Sequence, residues 1–207
     1  MDKTRVDTIR NDILTTAMRH APFDGWTWET VLAAAEETGH GAGMALAVFP
    51  ERMTGVMDAF SAWADSQMMA ALADIDPASM RTHERIYAAL IKRYELLQPH
   101  KECVRQAMAF WAMPLRKPRA LQVLWRTADC IWEWAGDTSE DYNHYTKRGL
   151  LSAIMAATTL VWIDDRSPDM GPTREFLERR IANALQIGKL MAKAPFSGMR
   201  KGGKAHG

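Results

Sequence analysis

Between Thr127 and Leu151 the chain reads TADCIWEWAGDTSEDYNHYTKRGLL, with three Asp, two Glu, a His and a Lys-Arg pair among two Trp and two Tyr. Paired carboxylates facing one bond could run glycoside hydrolysis. Asp137, Glu140 and Asp141, however, fall at a helix junction. There, carboxylates cap the following helix and favour its dipole. Asp141 and His144 have the i,i+3 spacing of half a dinuclear metal site, which needs a second copy on another helix. Neither His83-Glu84 nor His100 repeats it. Cys103 and Cys130 lack the spacing of a zinc site. No GxSxG, P-loop or GxGxxG motif occurs. The expectation is no catalytic residue, no metal and no cofactor. The other chemistry this stretch offers is recognition. Aromatics and Arg beside short polar residues are what protein interfaces concentrate, and Asp129, Trp132, Tyr145 and Arg148 are such a set. Trp125 and Trp132 read equally well as core.

Helical periodicity positions these residues, and strand alternation is nearly absent. The first helix is expected over Thr4–His20, with Val6, Ile9, Ile13 and Ala17 inward and Pro22 and Gly25 ending it. A short helix follows the Thr27 cap, and residues 40–49 form a third. Pro50 opens a longer helix to about Asp74, and another covers Ser79–Leu97 with Ile86, Leu90, Tyr94 and Leu97 inward. His100–Met113 is the sixth. In the seventh, Pro118–Ala135, the spacing makes Leu121, Leu124, Ala128, Ile131 and Ala135 a core seam. The eighth, Glu140–Ile163, packs Leu150, Ile154, Ala157 and Val161 on one side and carries His144 and Arg148 on a polar stripe. Gly136 makes the intervening turn short, so these two helices pair antiparallel. A last helix runs from about Thr173 to Lys193, and the tail after it reads as disordered.

The composition is that of a globular chain, 47% hydrophobic and 25% charged, with a formal net charge of +1 that demands no nucleic-acid partner. No secretory signal or 18-residue apolar run appears, so the chain reads as cytoplasmic. Met (14) and Trp (8) are frequent, and Met-rich interiors adapt to irregular apolar guests.

The opening residues, ILTTAMRHAPFDGWTWETVLAAAEETG followed by LAVFPERMTGVM, resemble the DNA-binding end of TetR regulators. That resemblance implies an all-α, TetR-like fold: a helix-turn-helix unit over 1–50, a helical ligand-binding and dimerisation region over 51–193, and a basic tail over 194–207. The recognition helix would be GHGAGMALAVF. It lacks Lys, Arg, Asn, Gln, Ser and Thr, and Gly39, Gly41 and Gly43 weaken it. Reading bases and anchoring phosphates needs such side chains, so no nucleic-acid partner is expected.

Further along, TADCIWEWAGD, DYNHYTKR, LVWIDDRSPD and FLERRIA resemble the COQ9 family of ubiquinone biosynthesis proteins, over most of the chain from Ile9 to Gln186. The resemblance implies a homodimeric, non-catalytic protein that binds an isoprenoid quinone or phospholipid and serves the hydroxylase acting on demethoxyubiquinone. The family's partner-binding patch carries over to Asp129, Ile131, His144, Tyr145 and Arg148, with Trp132 beside it. Cys130 stands where a second Asp is usual and His144 where Trp is usual. A TetR-like regulator sensing a hydrophobic ligand is the alternative.

A polyprenyl tail needs an apolar cavity between helices. Its expected lining, from facing seams, is Met57, Phe60, Trp63, Ile86, Leu90, Phe110, Trp111, Leu124, Ile154 and Met155. The last helix sets Leu177, Ile181, Leu185 and Met191 on one side, with Lys189 and Lys193 leading into the basic tail. Such a stripe suits peripheral contact with an anionic inner membrane, or packing on the helix's own domain.

Overall fold

The computed structural model describes residues 3–139 and 142–193. Those residues form α-helices joined by turns and short 3-10 segments: α1 Lys3–Asp24, α2 Trp28–Glu37, α3 Gly41–Val48, α4 Met53–Leu72, α5 Thr82–Leu97, α6 Lys101–Trp111, α7 Lys117–Trp134, α8 Tyr142–Asp164 and α9 Gly171–Lys193. One apolar core runs through them, from Ile13 and Val31 in the first helices to Met57, Leu90, Ile131 and Leu177.

α1 runs through Pro22 rather than stopping before it. A proline supplies no N–H to the carbonyl four residues back, here that of Met18. The Cys103 thiol of α6 donates to that carbonyl at 3.3 Å instead. The helix ends where Gly25, at φ +82°, closes on the Ala21 carbonyl. Thr27 caps α2 by accepting from the Thr30 N–H. α4 begins at Met53, later than Pro50, because residues 50–52 make a turn in which Arg52 is left-handed and its N–H donates to Phe49.

The expected inward faces of α1 and α5 are inward: Ile9, Ile13 and Ala17, and Ile86, Leu90, Tyr94 and Leu97, are buried. Those of α7 and α8 are rotated. On α7 the buried residues are Val123, Thr127, Ala128, Ile131 and Ala135, while Leu124 is half-buried and Leu121 is exposed. Polar pairing sets the turn of this helix. Arg119 and Arg126 reach Asp58 of α4, and Thr127 donates to the buried Asp65 carboxylate, which also holds Arg93 of α5. On α8 the buried residues are Arg148, Leu151, Ser152, Ile154, Met155, Thr158, Trp162 and Ile163, with Leu150, Ala157 and Val161 half-buried. Tyr94 fixes that face by donating to the Met155 carbonyl at 3.2 Å.

Candidate functional site

The α7–α8 hairpin holds the aromatic and charged stretch. α7 ends in a Schellman turn: the Gly136 N–H donates to Glu133 and the Asp137 N–H to Trp132, both at 3.0 Å. Gly136 has φ +80°, a conformation that costs a residue with a Cβ about 1–2 kcal/mol. The turn delivers Asp137 to the start of α8. There it accepts from the Lys147 ammonium at 2.6 Å and the Arg148 guanidinium at 3.1 Å. Burial works to raise the Asp137 carboxyl's pKa, but bonds from Lys147, Ser139 and Arg148 outweigh it and hold it below the usual value. Glu140 and Asp141, expected to cap this helix, lie outside the described residues.

The six expected docking residues separate into two groups. Ile131 is fully buried, and the Arg148 side chain is only 3% exposed. These two are interior: Ile131 lies in the core seam, as its spacing predicts, and neither takes the place on a docking surface that the family resemblance implies. Arg148 is spent inside, on Asp129 and Asp137. The polar stripe on α8 reads from sequence as a solvent face because Arg and His are usually exposed. It is in part the seam between two helices, since a guanidinium can enter a core when fully paired. Asp129, Trp132, His144 and Tyr145 remain accessible to differing degrees. Tyr145 is the most open, at 64%, with its ring 6.0 Å from that of Trp125 and 5.2 Å from His144. His144 Nδ1 meets the Ser139 carbonyl at 3.0 Å. The Lys147 ammonium lies 5.3 Å from the centre of the half-buried Trp132 ring. Trp125, which sequence reasoning left between core and surface, supports Tyr145 from α7. The result is a shallow aromatic face bordered by Asp129, anchored from beneath by the Arg148 ion pairs.

All ten expected lipid-lining residues join or border the single core. Met57, Phe60, Ile86, Leu90, Ile154 and Met155 are buried, and Trp63, Phe110, Trp111 and Leu124 are half-buried around them. Phe60 stacks on Trp63 at 6.2 Å, and Trp63 meets the His100 ring edge-on at 5.3 Å. Desolvation lowers the His100 pKa. Three surface clefts lie elsewhere. One of about 510 Å³ sits at Leu160, Asp164 and Pro172. A second, of about 630 Å³, separates α1 from the start of α3 at Asp12, His40 and Met44. The third, about 550 Å³, runs between α5 and α9 at Tyr87, Ile181 and Leu185. None is lined by any of the ten.

On α9, Leu177 is fully buried and Ile181 is 7% exposed. Their side chains pack into this protein's own core, not onto a membrane, because α9 lies against α5 and α8. Leu185, at 42%, stays open. The side chains of Lys189, Met191 and Lys193, and the tail 194–207, lie outside the described residues. Among the described residues, no helix is long and apolar enough to cross a membrane.

This arrangement of helices is that of a TetR-type regulator. A crystal structure of a TetR transcriptional regulator from Nitrosomonas europaea superposes with a TM-score of 0.68 over 86% of this chain and 99% of that one, at 22% identity. Residues 117–188, which carry α7, α8 and most of α9, match the COQ9 family model. The chain is similar to ubiquinone biosynthesis protein COQ9, mitochondrial, of Drosophila melanogaster, with 31% identity over 92% of this chain and 60% of the relative. Against the human protein of that name the identity is 30%, over 88% and 59%. The chain is thus about 30% identical to these COQ9 proteins over most of its own length, and spans about 60% of theirs.

Proposed function

We propose that this protein is a non-catalytic accessory of ubiquinone synthesis. It holds an isoprenoid quinone precursor or phospholipid, and docks through α7 and α8 onto the hydroxylase of demethoxyubiquinone. The observation that carries this reading is where the family likeness falls. The matched segment, 117–188, contains the whole aromatic face around Tyr145. The name of the relatives supplies the pathway. A lipid tail would enter where the core is bordered by half-buried Trp63, Phe110, Trp111 and Leu124, a region rich in side chains that can repack. In this reading the protein works as a homodimer at the face of an inner membrane. A DNA-binding regulator is the competing reading, and the fold likeness favours it. Against it, α3 is GAGMALAV and offers no cation or hydrogen-bonding side chain, while His40 before it faces Asp12 at 3.3 Å.

Mass spectrometry of lipid extracted from the purified protein tests the reading. An isoprenoid quinone or phospholipid is expected in the parent, with reduced yield in Trp111→Glu, since an unpaired buried charge is costly. Empty protein together with salt-sensitive, sequence-specific binding to duplex DNA would reverse the preference.

A further inference from the structure

The turn between α6 and α7 carries apolar side chains that the core does not use. Met113 is 54% exposed and Leu115 97%, and Leu121, one turn into α7, is 66% exposed. Large apolar residues are scattered singly on most surfaces, but here three fall close together in sequence, on one turn and the helix after it, within a stretch of one-sided charge. From Cys103 to Ala128 the sequence holds Arg105, Arg116, Lys117, Arg119 and Arg126 and no carboxylate. Arg105 pairs with Glu102 and Asp164, and Arg119 and Arg126 with Asp58. Arg116 and Lys117, at the corner itself, have no carboxylate partner among the described residues. The Arg116 guanidinium lies 3.7 Å from the centre of the Phe110 ring and donates to the Phe110 carbonyl. It is thereby held beside the apolar tip.

The backbone of this corner is partly bonded within the turn, which limits the number of unbonded N–H groups that are costly in a medium poor in water. The N–H groups of Ala112, Arg116 and Lys117 donate to Met108, Met113 and Pro114 within the turn. Pro114 and Pro118 have no N–H to satisfy, and each fixes its own φ.

We propose that the α6–α7 corner is a membrane-docking tip that inserts Met113 and Leu115 among the acyl chains of an anionic lipid surface while Arg116 and Lys117 meet the headgroups. Protruding apolar residues flanked by basic ones bind such surfaces by the sum of apolar burial and attraction to anionic lipid. A protein partner would more often call for a flatter patch with both signs of charge. Met113, Leu115, Arg116 and Lys117 are not among the residues of the Tyr145 face or of α9. The docking tip rests on exposure and charge alone, so it can fail while the ubiquinone reading stands, or stand while that reading fails.

Sedimentation of the full chain with vesicles of phosphatidylcholine, alone or mixed with phosphatidylglycerol, tests it. The parent protein is expected to bind the anionic vesicles. Met113→Ser with Leu115→Ser should weaken that binding at least tenfold, and Lys117→Glu should remove most of the preference for anionic lipid. These residues are exposed, so melting curves should hardly move. Leu160→Ser is the control. Leu160 is equally apolar and 61% exposed, on the turn of α8 that precedes Asp164, near the opposite end of α6. It should bind as the parent does. A parent that binds neither vesicle overturns the proposal. So does parent-like binding by both turn variants, which would leave the corner to a protein partner. Equal loss in Leu160→Ser would also overturn it, by showing general stickiness. A truncation after Lys193 that abolishes binding while the turn variants keep it would assign the membrane to the tail and refute the corner.

Discussion

Arg148 and Tyr145 are three residues apart on α8 and do opposite jobs. Arg148 is buried between two carboxylates. Burial acts to lower the pKa of its guanidinium, and bonds to Asp129 and Asp137 outweigh that and raise it. Reversing this charge places a carboxylate beside two others, of which, among the described residues, only Asp137 keeps a cation, Lys147. Breaking such a pair costs about 3–5 kcal/mol, so Arg148→Glu should melt far earlier than the parent or fail to fold. Tyr145→Ala removes an exposed ring and should cost under about 1 kcal/mol of stability. If the aromatic face docks the hydroxylase, the same change should weaken a pull-down by about 2 kcal/mol, roughly thirtyfold in Kd. The proposal of a docking face is lost if Tyr145→Ala keeps full affinity, or loses it only by unfolding. From the sequence both residues look like members of one surface set. Spacing along a helix fixes neighbours but not which side faces the next helix.

At the scale of elements, the start of α9 depends on a carboxylate from the preceding loop. Asp165 accepts from the N–H and hydroxyl of Ser167 and from the N–H and hydroxyl of Thr173. Thr173 is the third residue of α9, where a helix has N–H groups with no partner of its own. Burial favours the protonated acid, but these four donors outweigh it and bring the pKa down to about 2 from 3.8. Because the folded value is the lower one, the stabilisation is complete above pH 3.8 and is lost as pH falls towards 2. The shift corresponds to about 2 kcal/mol. Urea melts at pH 4.5 and pH 2.5 should show the parent losing about 1.5 kcal/mol more than Asp165→Asn, since pH 2.5 is still above the folded value. Equal acid losses in the two proteins would remove Asp165 as the source. The same loop explains why Leu177 and Ile181 face inward. With α9 fixed at its first turn against α8, its apolar stripe is committed to α5 and the core.

For the whole molecule, the N-terminal three helices are not a detachable module. Ile13, Leu14, Ala17, Val31 and Phe49 are buried in the same core as Met57, Phe60 and Leu90. Polar contacts reinforce the join. The Trp26 backbone N–H donates to Gln106 at 2.9 Å and its indole N–H to the Cys103 carbonyl, while Gln106 donates back to Ala21. Elements that share a core unfold together. Calorimetry should therefore give one transition, with its calorimetric and van't Hoff enthalpies in agreement. Two separated transitions would show that residues 1–50 fold on their own.

The sequence by itself determined the helices, most of their ends, the short turn at Gly136 and the absence of base-reading side chains on α3. These follow from local chemistry: spacing of apolar residues, a Thr cap, a glycine able to take φ +80°, a run of Gly and Ala. It also carried the family likeness in the α7–α8 stretch. Only the tertiary structure decided the rotation of α7 and α8. That rotation turned on polar contacts between residues far apart in the chain: on α7, Asp58 with Arg119 and Arg126 and Asp65 with Thr127, and on α8, Tyr94 with the Met155 carbonyl and Arg148 with Asp129. The rotation put Arg148 inside and left Leu121 outside, while Ile131 stayed in the seam its spacing predicts. It also decided that Leu115 is bare, because a leucine between a proline and an arginine reads the same whether a neighbouring helix covers it or water does.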